Sequence, residues 1–174
     1  MVINKKYKPE LIVSEDSTLP NIGHPHLDRN KQKVIATNGH MMIILPVQCA
    51  DADTSGAVPK DALKVARKEA RKSSNVLLEL NGAAKATNGQ TFPRPDLSFP
   101  PYEQLIPNFG NAKTHTFAFN ATYLKALSDA LGIEKYTGVQ ITINLDDVEA
   151  PILVRSTAEK TPEDAIGILM PTRF

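Results

Sequence analysis

The sequence predicts an α+β fold: a pseudo-twofold repeat of strand–helix–strand–strand–strand units whose two helices pack on antiparallel sheet. Three observations predict it. Residues 59–72 and 120–131 carry apolar side chains at helical spacing, and each segment is followed by β-prone runs. Asn38-Gly39, Asn81-Gly82 and Asn88-Gly89 punctuate runs of β-prone or small residues. Both residue types tolerate the positive φ of a type I′ turn, so each pair marks a hairpin. The two helix-plus-strand units also superpose at a constant shift of 61 positions, which sets Val58 on Phe119, Leu63 on Leu124, Lys64 on Lys125, Leu78 on Val139 and Leu80 on Ile141.

The elements follow in order. Residues 10–14 read as a short strand, and 15–30, with Asp, Ser, Pro, Gly and two histidines, as loop. Asn38-Gly39 joins 33–37 to 40–47 in a hairpin. Residues 59–72 open with proline, which suits a first helical turn, and place Ala62, Leu63, Ala66 and Ala70 on one face. Residues 76–80, 83–87 and 90–92 form a three-stranded meander. Asn120 caps the second helix, Leu124, Leu127 and Leu131 make its apolar stripe, and Gly132 stops it. Strands at 139–144, 151–156 and 165–170 follow, with a turn at Asp146-Asp147. Two long repeats argue a single domain over 1–174: an N-terminal β segment (1–50), a first half-repeat with a linker (51–110) and a second half-repeat (111–174).

Composition narrows the function classes. A chain of 174 residues with 41% apolar side chains can bury a core, which excludes wholesale disorder. The lone Cys49 cannot form an internal disulfide and points to a reducing compartment. Residues 41–47, the longest apolar run, are too short to cross a bilayer, and residues 1–8 lack the apolar stretch of a signal peptide. A soluble, cytoplasmic protein without membrane contact is expected. The net charge of +1 does not by itself mark a nucleic-acid binder, so any such role depends on where the cations sit.

Enzyme signatures are absent from the sequence: no phosphate-cradling glycine loop, no Gly-x-Ser-x-Gly elbow, no cysteine pair. His24, His26 and Asp28 alternate as metal ligands on a strand would, but nothing nearby completes a tetrahedral set. Asp146 and Asp147 read as a hairpin tip, and Cys49 has no neighbouring base to activate it. No catalytic residue, metal or cofactor is expected.

The first helix is more informative. Lys60, Lys64, Arg67, Lys68, Arg71 and Lys72 recur at helical spacing, within an arc of roughly 140° at about 100° per residue, largely opposite the alanine and leucine face. With Asp61 and Glu69, residues 60–72 carry +4. Such a face can track a phosphate backbone without reading bases; an ordinary solvated helix surface is the plainer reading.

Three separated blocks then matter together: Val34-Ile35-Ala36-Thr37-Asn38-Gly39-His40, Phe99-Pro100-Pro101-Tyr102-Glu103-Gln104-Leu105-Ile106-Pro107, and Ile168-Leu169-Met170-Pro171-Thr172-Arg173-Phe174. In this order they resemble the bacterial DNA polymerase III β subunit, the replicative sliding clamp, over most of the chain from about Lys33. The resemblance implies a DNA-clamp-like fold, reduced relative to a three-domain clamp subunit, so that a ring would need several copies. It also implies an apolar pocket for clamp-binding peptide motifs. Carried over by position, the pocket takes Thr37, Gly39, His40 and Met42 from the first block, Pro100 and Leu105 from the second, and Ile168, Met170 and Pro171 from the third. Met41 stands where the family usually has arginine, Asn38 where it has aspartate, and Thr172 where it has methionine. The implied partners are duplex DNA, bound without sequence preference, polymerase or repair proteins, and further copies of the chain. A protein-binding module that never touches DNA is the alternative.

Overall fold

In the computed structural model, every residue is described except 109–115, 132, 134–136, 148, 159–164 and 172–174. The chain divides into two compact units, Met1–Pro107 and Asn108–Phe174. Segments 1–50 and 51–110 thus fall essentially in the first, and 111–174 in the second. Among the described residues all strand pairing is antiparallel, in three sheets.

The first unit contains two half-repeats of its own. One runs β1 (Val2–Asn4), an irregular stretch, then a meander of β2 (His26–Asp28), β3 (Lys33–Thr37) and β4 (Met42–Pro46). The other runs β5 (Gly56–Ala57), helix α1 (Lys60–Glu69), then a meander of β6 (Asn75–Asn81), β7 (Ala83–Ala86) and β8 (Thr91–Pro93). The leading strands are exchanged: β1 pairs with β6, with Val2 opposite Leu77, and β5 pairs with β2, with Gly56 opposite Leu27. Each four-stranded sheet is therefore a meander completed by the leading strand of the other half. Both sheets and α1 share one core, in which Leu27, Val34, Leu63, Val76, Leu80 and Ile3 are almost fully buried.

The sequence reading missed the first of these half-repeats because no helix marks it. Residues 10–14 are not a strand; a 3-10 turn spans Pro9–Leu11, where proline has no N–H for a ladder. Residues 15–30 hold a second 3-10 turn at Pro20–Ile22 and strand β2. With Leu27 its single apolar residue, β2 has no periodicity to read and forms because β3 and β5 flank it.

The Asn38-Gly39 hairpin is present, but not as a two-residue turn. Thr37 pairs with Met42, which leaves four residues in the loop, and Gly39 takes φ +89°. The Asn38 Oδ1 accepts from the amides of His40 (3.0 Å) and Met41 (3.1 Å), so the side chain builds the turn and Asn38 needs no positive φ. Helix α1 ends at Glu69, short of Lys72; the Lys5 ammonium reaches the carbonyls of Ala70 and Arg71 at its C-terminus, where a cation is favoured. At its other end the His24 Nδ1 accepts from the Lys60 amide at 3.3 Å.

The second unit contains helix α2 (Ala121–Ala130) and a three-stranded sheet of β9 (Val139–Thr142), β10 (Ile152–Ser156) and β11 (Gly167–Leu169). Asn120 caps α2 as expected, its Oδ1 accepting from the Thr122 amide at 2.9 Å. The expected stop at Gly132 lies outside the described residues. Leu124, Leu127 and Leu131 pack on Ile152, Val154 and Leu169. The shift of 61 positions carries α1 onto α2 end to end. It fails before the helix: β5 is a strand, whereas residues 116–120 are described and form none. No helix among the described residues is long and apolar enough to cross a membrane.

Candidate functional site

The expected pocket residues fall in three places. Ile168, Met170 and Pro171 lie in the second unit and line one apolar groove of about 740 Å³ together with Tyr123, Ala126, Leu127 and Leu169. Local chemistry builds this groove. The capped helix α2 presents Tyr123 and Leu127 one turn apart on the side facing β11. Gly167 allows the helix to sit close: a Cβ there would meet Leu127 Cδ2 at 3.2 Å and Leu131 Cδ1 at 3.3 Å. Leu169 points inward and is buried, while its neighbours Ile168 and Met170 alternate outward at 61% and 59% exposure. Tyr123 is 63% exposed. Among the described residues no charged side chain lines the groove, and Lys125 is held by Asp129 at 2.9 Å.

An open apolar trough with one phenol and one flexible thioether suits large apolar anchors of an extended peptide. The sequence reading missed Tyr123, Ala126 and Leu127. Tyr123, a bulky ring at the margin of the helical stripe one turn before Leu127, was the available signal.

Thr37, Gly39, His40 and Met42 sit at the β3–β4 hairpin tip of the first unit. There the Thr37 hydroxyl donates to the Met41 carbonyl (2.8 Å) and accepts from the Gly39 amide (3.1 Å), so its visible bonds are structural. His40 is exposed and, with Asn38, borders a shallow cavity beside Leu11, Val13 and Leu19.

Pro100 and Leu105 belong to the segment that ends the first unit. Phe99 stacks on His26 with ring centroids 4.9 Å apart, and the Tyr102 hydroxyl donates to Asp28 at 3.1 Å. Pro100 lines a cleft of about 300 Å³ with these residues, while Leu105 stands exposed. Burial, assisted by Arg94 and opposed by Asp28, lowers the His26 imidazole pKa; burial and the Asp28 hydrogen bond raise that of the Tyr102 phenol. His24, His26 and Asp28 thus cap a helix, stack on a ring and accept a phenol. Among the described residues no three ligating side chains are grouped to hold a metal.

The cationic face of α1 is smaller than its spacing predicts. Arg67 does not belong to it. Its guanidinium turns inward to Glu10, with Nε to Oε1 at 2.7 Å, and donates to the backbone carbonyls of Lys5 and Tyr7. Glu10 is buried, and the fork of five donors lets arginine satisfy it and two carbonyls at once. Arg71 and Lys72 lie past the end of the helix, so the arc drawn through them does not apply, although both are exposed. Lys64 is exposed beside Asp61 at 3.3 Å, Lys68 is exposed, and Lys60 is half-buried. Four exposed cations, Lys64, Lys68, Arg71 and Lys72, remain.

No family model matches the sequence, and no curated protein matches it. Solved structures do match in fold. The DNA polymerase sliding clamp from Bacillus subtilis aligns with 99% of this chain and 49% of its own, at 15% identity and a TM-score of 0.69. The beta subunit from DNA polymerase of Streptococcus pyogenes aligns with 99% of this chain and 50% of its own, at 14% identity and a TM-score of 0.62. The sliding clamp from Caulobacter crescentus aligns with 100% and 65%, at 15% identity and a TM-score of 0.57. The chain therefore has the α+β fold of the bacterial DNA sliding clamps. It spans about half to two thirds of the length of these structures.

Proposed function

We propose that this chain is a sliding-clamp-like protein that docks clamp-binding peptide motifs of polymerase or repair proteins and holds duplex DNA without reading its sequence. The observation that carries the reading is the α2–β11 groove: a trough of exposed Tyr123, Ile168 and Met170, with no charged side chain among its described lining residues, on a sliding-clamp fold. Large apolar side chains left bare on a rigid shelf mark a contact surface, and a methionine wall can reshape around an anchor. Fluorescence anisotropy with a labelled clamp-binding peptide tests it. Met170→Asp places a charge in the trough and should weaken binding by about 2 kcal/mol or more, the scale of an interface hot spot. Unchanged affinity in a folded variant would remove the groove from the site.

The DNA half of the proposal rests on Lys64, Lys68, Arg71 and Lys72. Affinity for a duplex should fall steeply with salt, and Lys64→Ala, Lys68→Ala, Arg71→Ala together should flatten that dependence by about three phosphate contacts. The second reading, a protein-binding module that does not touch DNA, is favoured by the withdrawal of Arg67 to Glu10 and the pairing of Lys64 with Asp61. Absence of DNA affinity at low salt would select it.

A further inference from the structure

We infer that the second unit forms an isologous dimer with a second copy of this chain, in which residues 116–119 of each copy add as a strand to the free edge of β9 of the other. The first unit supplies the template. In both of its sheets the first strand of a meander is paired on its outer side by the leading strand of the other half, in the orders β1-β6-β7-β8 and β5-β2-β3-β4. Among the described residues the sheet of the second unit is β9-β10-β11, and no strand pairs with the outer edge of β9. The segment that corresponds to β5 under the shift of 61 positions is Phe117 and Ala118, and among the described residues no strand pairs with it. Among the described residues one unit thus presents both an unpaired edge and an unpaired leading segment.

The backbone groups at that edge face the right way. The Thr157 amide donates to the Gly138 carbonyl at 3.0 Å, which makes 138 and 157 a hydrogen-bonded pair. Alternation along the ladder then turns Gln140 and Thr142 toward β10, and the N–H and C=O of Val139 and Ile141 outward. Their counterparts Leu78 and Leu80 use the same outward groups: the Leu78 amide donates to the Met1 carbonyl (3.0 Å), and the Leu80 carbonyl accepts from the Thr54 amide (2.8 Å). The side chains differ likewise. Leu78 and Leu80 are 3% and 0% exposed, whereas Val139 and Ile141 are 39% and 37% exposed.

A second copy is the occupant because one twofold axis satisfies both vacancies twice over, and such a contact closes on itself. An unrelated strand would fill the edge of β9 and leave residues 116–119 unpaired. Nothing in the strand opposes the pairing, since β9 (Val-Gln-Ile-Thr) has no charge and no proline of the kind that guards natural edges. Seating Thr116 and Phe117 where Met1 and Val2 sit on β6 sets Thr116 opposite Val139 of the second copy, as Met1 stands opposite Leu78.

The test is sedimentation of the full chain over a concentration series, with two variants and one cross-link. The unmodified chain should dimerise. Ile141→Pro removes only an outward N–H and spares the bonds to β10, and Ile141→Lys charges the bare edge; each should weaken the dimer at least about thirtyfold, the loss expected of a central contact. In a Cys49→Ser background, oxidising a mixture of Thr116→Cys and Val139→Cys chains should give a cross-linked pair that neither chain forms alone. A monomer at every concentration, a dimer indifferent to both Ile141 variants, or no mixed cross-link would overturn the proposal. Should Ile141→Pro fail to fold by circular dichroism, Ile141→Lys and the cross-link still decide it.

Discussion

Leu80 in the first unit and Ile141 in the second hold the same place in the repeat, one residue before the last of the strands' common stretch, and their environments are opposite. Leu80 is buried beneath a core that two sheets and α1 share. Ile141 lies on a single sheet that α2 covers from one side, around Ile152, Val154 and Leu169. The difference teaches that a helix and a three-stranded meander do not make a full layer by themselves. In the first unit each meander gains a fourth strand and a facing sheet, while the second keeps exposed apolar surface at its groove and at its edge strand.

The ways to break that comparison begin with the largest effect. In the first unit the Met1 ammonium donates to the Asp53 carboxylate at 2.5 Å, and the amides of Ala50 and Leu80 donate to the same group. Asp53→Ala should cost about 3–5 kcal/mol in urea unfolding followed by a probe in the first unit, because a buried charge loses its partner. Arg67→Ala should be nearly as severe for the same reason, leaving Glu10 buried and unpaired. A surface-helix effect of a few tenths of a kcal/mol for Arg67→Ala would contradict the inward placement of that side chain.

Next comes a matched pair. Leu63, fully buried, should cost about 2–5 kcal/mol when changed to alanine, and its counterpart Leu124, half-buried, clearly less. Equal losses, read as denaturant midpoints of the two transitions, would mean that the second unit is as enclosed as the first.

The smallest effect is one of pH. Burial lowers the pKa of both His24 and His26, so the folded first unit disfavours the protonated form of each. Their contribution is complete above the ordinary imidazole value and is lost as pH falls below it, since the unfolded chain then binds more protons. Asp53 acts in the same direction at lower pH: burial raises its pKa, but hydrogen bonds from the Met1 ammonium and the Ala50 and Leu80 amides outweigh this and hold it below the usual carboxylate range. The stability of the first unit should therefore decline on acidification from neutrality. A flat denaturation midpoint between neutral and mildly acid pH would contradict the packing of the two imidazoles.

Much of the fold was legible in the residues, and the reasons are local. Helices α1 and α2 were readable because Leu63 and Ala66, or Leu124 and Leu127, recur at the helical repeat. The hairpins were readable because Asn-Gly chemistry acts within four residues. Strand β2 was not, as a single apolar residue between His26 and Asp28 carries no period. Nor was the withdrawal of Arg67, since Arg67 and Lys68 look alike to any charge count and Glu10 lies 57 positions away. For the groove, the chain's end named Ile168, Met170 and Pro171, while Tyr123 and Leu127 joined them through folding.

By itself the sequence determined both helices, the hairpins that Asn-Gly marks, the repeat of the two helix-bearing units, and where apolar residues stand in the strands it marked. Those properties depend on neighbours within a turn or two of backbone. Only the tertiary structure decided which of those residues would be covered. Burial of Leu80 depends on Met1, Asp53, Thr54 and a second sheet, all distant along the chain, and among the described residues no equivalent strand covers Ile141. Hydrophobic free energy is released only when a surface arrives, and which surface arrives is a property of topology.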